Sequence, residues 1–148
     1  MQAKVTALLV GTAASAIAVA MFLQNTRAQQ NQDTPGAASV AERGQYLVHH
    51  VAMCIYCHTP RNERGVPDER RLLHGAPMPV ESPFPAQKWA FMAPKIAGLP
   101  GGWTDVDMVR FLQTGESPTG RQPQPPMPPF RLNEDDARAV AAYLKSLP

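Results

Sequence analysis

Apolar positions fall at helical spacing in three separate stretches of the chain, and each stretch predicts one helix. The first runs from about Val40 to Met53, where Tyr46, Leu47, Val51 and then Cys54 share a face. The second begins after Thr104, whose hydroxyl can cap it while Asp107 closes a capping box. Val106, Val109, Arg110 and Phe111 come next, and Gly115 stands where the helix should stop. The third is the most regular. Asn133 suits an N-cap, Glu134, Asp135 and Asp136 put negative charge where the helix dipole favours it, and Ala137, Val140, Tyr143, Leu144 and Leu147 form the apolar stripe, with Lys145 near its C-terminal end. Between residues 59 and 103 prolines recur every few positions, which predicts loops with short helical turns. No alternating run predicts a strand, so the expected class is all-α.

One apolar stretch has a different meaning. Val5 to Leu23 carries no charge, comes after Lys4 and precedes a polar run from Gln24 to Asp33. Residues 1–28 therefore read as an export element. As an uncleaved helical anchor the stretch would just cross a bilayer core of about 30 Å with Lys4 on the cytoplasmic side. As a signal peptide it offers Thr26-Arg27-Ala28 for cleavage before Gln29. Both readings place the remainder outside the cytoplasm, in the periplasm or on the periplasmic side of a bacterial inner membrane. Residues 29–39 have the small, polar, Pro/Gly-containing composition of a flexible linker, leaving 40–148 as one domain.

Composition narrows the function classes. The 148 residues include 14 basic and 12 acidic side chains, a mild balance that does not ask for nucleic acid. Two of the basic residues are Lys4 and Arg27, so the part after residue 28 carries 12 of each sign. Sixteen prolines and ten glycines suit a loop-rich fold. Two cysteines are too few for a disulfide scaffold or a four-thiolate zinc site.

Those two cysteines carry the chemistry. In Cys54-Ile55-Tyr56-Cys57-His58 the thiols lie on one face of a helical turn, at a separation suited to thioether bonds with the two vinyl groups of one haem. His58 is then carried to where its imidazole can reach iron, with its other ring nitrogen needing a backbone carbonyl to fix the tautomer. C-x-x-C-H is the c-type haem attachment signal, and an export element agrees with it. A thioredoxin-like couple would come after a strand rather than a helix, a disulfide across two residues would close a tiny loop, and zinc would need a further ligand from His49, His50 or His74.

A sixth iron ligand is sought beyond the attachment site. Met127 lies in Gln122-Pro123-Gln124-Pro125-Pro126-Met127-Pro128-Pro129-Phe130, where prolines on both sides fix the backbone and can hold a thioether in place. Met92 and Met78 are alternatives, and His49, His50 and His74 further ones. Met53 is too close to the haem cysteines to reach the opposite face, and Met108 is expected to pack in the core or lie on the surface.

On these residues the chain resembles the class I cytochromes c, most of all the bacterial monohaem domains that serve periplasmic dehydrogenases. The resemblance covers residues 40–148. It rests on Arg43-Gly44-Gln45-Tyr46-Leu47-Val48, on Cys54 to His58 with Thr59-Pro60, on Ala93-Pro94-Lys95-Ile96-Ala97-Gly98 with Trp103-Thr104, and on Met127-Pro128-Pro129-Phe130 running into the last helix. It implies three to five helices around one covalent haem c, with His58 and Met127 as axial ligands. It also implies a crossing of the first and last helices through Gly44 or Val48 against Tyr143. Trp103 is implied as a haem contact near the propionates. Lys95 stands where many relatives carry Asn.

A six-coordinate iron with His and Met has no open position for substrate, so the expected function is one-electron transfer rather than catalysis. The expected partners are a dehydrogenase, an oxidase or another cytochrome of a respiratory chain, and the membrane if residues 1–28 are retained. The alternative is a haem enzyme or sensor with a labile sixth ligand, of peroxidase type. Arg61, Arg64, Arg70 and Arg71 form a basic run that would steer an acidic partner.

Overall fold

A computed structural model describes residues 36–148. The export element and most of the expected linker lie outside the described residues. Among those described, no helix is long and apolar enough to cross a membrane. Four α-helices and one small ribbon build the domain. Helix α1 (Ala37–Tyr46) continues into a π-helical turn, Leu47–Val51, and α2 (Ile55–His58) carries the haem motif. Next come a 3-10 turn (Glu69–Arg71), the ribbon of β1 (Ala76–Pro77) and β2 (Met92–Ala93), and then α3 (Asp105–Thr114) and α4 (Glu134–Ser146).

The caps of α3 and α4 form as their sequences dictate. Thr104 accepts from the Asp107 amide at 3.2 Å while the Asp107 carboxylate accepts from the Thr104 amide at 2.8 Å. Gly115 ends α3 in the left-handed region at φ 74°. The Asn133 side chain accepts from the Asp136 amide at 2.8 Å. Each satisfies a donor the first helical turn would leave bare.

The first helix differs from its predicted form. It starts at Ala37, three residues early, and of the predicted face Leu47 is buried and Cys54 half-buried while Tyr46 and Val51 are exposed. Tyr46 and Val51 are 51% and 55% exposed, whereas Gly44, Leu47 and Val48 are buried. The π turn accounts for Val51, because its extra residue rotates the later positions relative to a 3.6-residue helix, whereas Tyr46 precedes the turn. The ribbon is also absent from the sequence-based expectation. Its strands are two residues long, Ala76 pairing with Ala93 and Pro77 with Met92 antiparallel, too short to leave an alternating pattern.

α1 and α4 form the main helix pair, and α3 packs on α4. The buried core comprises Leu47, Val48, Leu73, Met108, Leu112, Val140, Tyr143 and Leu144 with Ala97, Ala137, Ala139 and Ala141. The two backbones meet at Gly44, where a Cβ would stand 1.9 Å from the Ala139 carbonyl oxygen and 2.8 Å from Tyr143 Cβ. The crossing implied by the family resemblance is thus present, with Gly44 as the small residue. Outside it, Arg43 pairs with Asp136 at 2.9 Å and its guanidinium lies 5.7 Å from the Tyr46 ring centre. His49 Nε2 hydrogen-bonds the Tyr143 hydroxyl at 2.8 Å.

Gly44→Ala should destabilise the domain by roughly 2–4 kcal/mol, because backbone rather than a flexible side chain occupies the needed space; denaturant unfolding of the haem-loaded protein measures it. For His49, burial and the neighbouring His50 push the imidazole below its ordinary value of 6.5. The folded state therefore binds fewer protons than the unfolded one. Its contribution is present above pH 6.5 and lost as the pH falls below it. The stability difference between wild type and His49→Gln should accordingly shrink between neutral and mildly acidic pH.

Candidate functional site

α2, the ribbon, α3, α4 and the loop between the last two helices enclose a cavity of about 580 Å³, a size within the range of cofactor sites. Cys54, Cys57 and His58 line it, as do Met127 and Trp103. Every predicted site residue therefore borders the same space. Val140 and Leu144 of α4 and Met108 and Leu112 of α3 give it an apolar inner wall.

Short-range structure aims the motif. The chain leaves the π turn through Met53 at φ 52°, and the Cys57 and His58 amides both donate back to the Cys54 carbonyl. His58 is buried, and its Nδ1 lies 2.8 Å from the Pro94 carbonyl oxygen. A carbonyl only accepts, so Nδ1 carries the hydrogen and the neutral ring keeps its lone pair on Nε2. Burial lowers the His58 value, opposed by the Pro94 hydrogen bond. Two further contacts tie this turn to the ribbon. The Gly75 amide donates to the His58 carbonyl at 2.7 Å, and the Leu73 amide donates to the buried Thr59 hydroxyl at 3.0 Å. Gly75 has φ 84°, and a Cβ there would lie 2.8 Å from the Lys95 nitrogen, so only glycine lets the ribbon pack this closely.

The thiols are free, and burial pushes Cys54 up to about 11. That site holds a thiol at neutral pH, unlike the thiolate of a redox couple or a zinc site. Among the described residues no three His, Cys, Asp or Glu side chains converge as metal ligands. His49, His50 and His74 do not border the cavity; the His74 Nδ1 lies 2.9 Å from the Leu72 carbonyl oxygen. An apolar cavity with two adjacent thiols at one side and a neutral imidazole fixed by a carbonyl fits a covalently held haem.

The methionines are only partly legible in the sequence. Met53, Met78, Met92 and Met108 line the cavity beside Met127. Met108 is buried, and Met92 is 58% exposed. Trp103 packs edge-on against Phe111, ring centres 5.2 Å apart. Sequence reasoning missed the identity of the Pro94 carbonyl and overlooked Arg121, which also lines the cavity. Nothing marks a backbone acceptor in a sequence, but the turn-forming Ser117-Pro118-Thr119-Gly120 before Arg121 is a usable signal. The basic run behaves differently from its sequence reading. Arg61 is held by the Gly65 and Tyr56 carbonyls, and Arg70 and Arg71 pair with Asp68 at 3.5 and 3.0 Å. The Asp68 carboxyl is held below its usual range, chiefly by the Arg71 hydrogen bond. With Glu63 and Glu69 interleaved, the segment is close to neutral.

A family profile for cytochrome c matches residues 41–148. The chain belongs to the cytochrome c family. Its helical, loop-rich architecture is that of a class I c-type cytochrome, and membership brings covalently bound haem c and electron transfer with it. Among curated proteins this cytochrome is 34% identical over 112 residues to a "Diheme cytochrome c-type" of Cereibacter sphaeroides, covering 72% of this chain and 35% of that protein. It is 32% identical over 115 residues to the "Fructose dehydrogenase cytochrome subunit" of Gluconobacter japonicus, covering 72% and 22%. It is 31% identical over 125 residues to the "Alcohol dehydrogenase (quinone), cytochrome c subunit" of Gluconacetobacter polyoxogenes, covering 77% and 26%. The chain thus spans about a third or less of the length of these relatives.

The cavity predicts how the cytochrome responds to loss of haem. Without haem the apolar walls formed by Met108, Leu112, Val140 and Leu144 would meet water, a large loss for a domain whose whole stability is on the order of 5–15 kcal/mol. Cys54→Ala with Cys57→Ala, expressed with residues 1–28, should therefore show low helix content by far-UV circular dichroism and no cooperative thermal transition. A well-folded haem-free double variant would contradict it.

Proposed function

We propose that this cytochrome is a single-haem electron carrier or electron-transfer subunit, with Cys54 and Cys57 as attachment residues and His58 and Met127 as axial ligands. When bound, haem supplies a one-electron iron couple. The observation that carries the reading is the meeting of Cys54, Cys57, His58 and Met127 on one cavity, with His58 locked to Pro94. Connectivity favours Met127 over its rivals. Met92 lies in the ribbon, two residues before the Pro94 that backs His58, and Met78 directly follows its first strand, its amide donating to the Phe91 carbonyl. Met127 comes from a separate loop leading into α4, the kind of element that can supply a ligand from the other side. Trp103, at the start of the segment into α3, is a haem contact on this reading.

The chain's own residues then do three things. The thiols fix the group, Pro94 keeps the His58 lone pair directed at iron, and the apolar walls exclude water so that the potential is set by protein groups. A thioether ligand raises that potential. The domain layout is an export element at 1–28, a linker to about residue 36, shorter than expected because α1 already begins at Ala37, and one haem domain. Names of the relatives support a dehydrogenase as electron donor; a respiratory chain as acceptor and the periplasmic side of a bacterial inner membrane as location follow from reading residues 1–28 as an export element.

Denatured protein on a gel should retain haem-dependent peroxidase staining, one haem per chain by mass. Extraction of the haem by acidified organic solvent would sink the attachment. The oxidised protein should be low-spin with the weak far-red band of a thioether–ferric bond. Met127→Ala should abolish that band and lower the midpoint potential. Loss of the band in Met92→Ala or Met78→Ala instead would move the ligand, and a high-spin wild type would favour an open-site haem enzyme.

A further inference from the structure

The lining of the cavity contains one charged side chain of the Asp, Glu, Lys and Arg kind. It is Arg121, in the loop between α3 and α4. A tight turn holds its base. The Ser117 amide donates to the Arg121 carbonyl at 2.9 Å, the Arg121 amide donates to the Ser117 hydroxyl at 3.0 Å, and the Gly120 amide closes on the Ser117 carbonyl at 2.8 Å. Its guanidinium is oriented as well, Nε donating to the Thr119 hydroxyl at 3.3 Å.

The other charged groups nearby are spoken for. Glu116, the one carboxylate between residues 115 and 130, pairs with Arg110 at 3.3 Å. Arg131 directs its guanidinium at the Pro129 and Phe130 carbonyls. Arg121 makes no ion pair among the described residues, and its two terminal nitrogens remain available as a planar donor fork. A cation fixed at the rim of an apolar cavity calls for an anion inside it. The anionic groups of a haem are its two propionate carboxylates.

We propose that Arg121 pairs with a haem propionate and raises the reduction potential of the iron, a role that rests on the haem reading above. The physical reason is charge. Reduction adds one electron to ferric iron with no bond made or broken, so the cofactor becomes one charge more negative. A cation beside it stabilises the reduced form, and because Arg121 is exposed, solvent on its outer side weakens the effect without removing it.

The test is mediated potentiometric titration of the haem-loaded full chain, comparing wild type with Arg121→Gln, Arg121→Lys and Arg64→Gln. Arg64 is exposed and borders no part of the cavity, so it controls for loss of a charge alone. The expected result is a midpoint potential lowered in Arg121→Gln, restored toward wild type in Arg121→Lys and unchanged in Arg64→Gln. Equal potentials in Arg121→Gln and Arg64→Gln would overturn the assignment. Should Arg121→Gln give no loaded protein, Thr119→Val decides, since it removes the one side-chain bond that orients the guanidinium, together with a contact to the Ser117 hydroxyl. A fall in its potential supports the pairing, and an unchanged potential refutes it. Haem staining of denatured wild type separates failure of this pairing from failure of the haem reading itself.

Discussion

Everything about the site depends on how closely the first and last helices approach. At Gly44 the backbone of α1 meets the Ala139 carbonyl, a distance no side chain would allow. α4 answers with Ala137, Ala139 and Ala141, all buried, so its contact with the rest of the fold is short and stiff. The larger residues Val140 and Leu144 are then free to wall the cavity instead of filling the crossing. Replacing depth of packing with closeness of backbones is how a chain of modest core keeps two helices together beside a cofactor-sized cavity.

The remaining walls are held by hydrogen bonds more than by apolar contact. His58 to Pro94, Gly75 to His58 and Thr59 to Leu73 join α2 to a ribbon only two residues deep. The Ala90 amide donates to the Pro125 carbonyl at 2.8 Å and links that ribbon to the loop bearing Met127. Backbone partners suit a proline-rich chain. Prolines restrict the loops before folding, so less conformational entropy is lost when few contacts fix them.

Legibility in the sequence tracked the range of the interaction. The caps at Thr104 and Asn133, the stop at Gly115 and the C-x-x-C-H turn are set by residues within a few positions, and all could be read from the chain. The π turn could not, because its extra residue is forced by the fit of Leu47 and Val48 against α4. The ribbon escaped for a similar reason, since Ala76 and Pro77 owe their pairing to Ala93 and Met92, far along the chain. Of the site, Cys54, Cys57, His58, Trp103 and Met127 all border one space, as a shared cofactor requires. Which carbonyl backs His58, and that Arg121 lines the cavity, depended on tertiary placement of loops that no periodicity records.

The order of the walls along the chain bears on how the protein matures. Cys54 to His58 precede Met127 by about seventy residues, so a chain that emerges from its N-terminus presents the attachment turn first. The turn is therefore open to haem while the loop bearing Met127 is still unmade. On the proposed ligation, once the thioether bonds exist, capture of the iron by the Met127 loop is no longer an encounter between two molecules. It is a ring closure at an effective concentration fixed by chain length, so even an intrinsically weak sulfur ligand binds without competition from dilution.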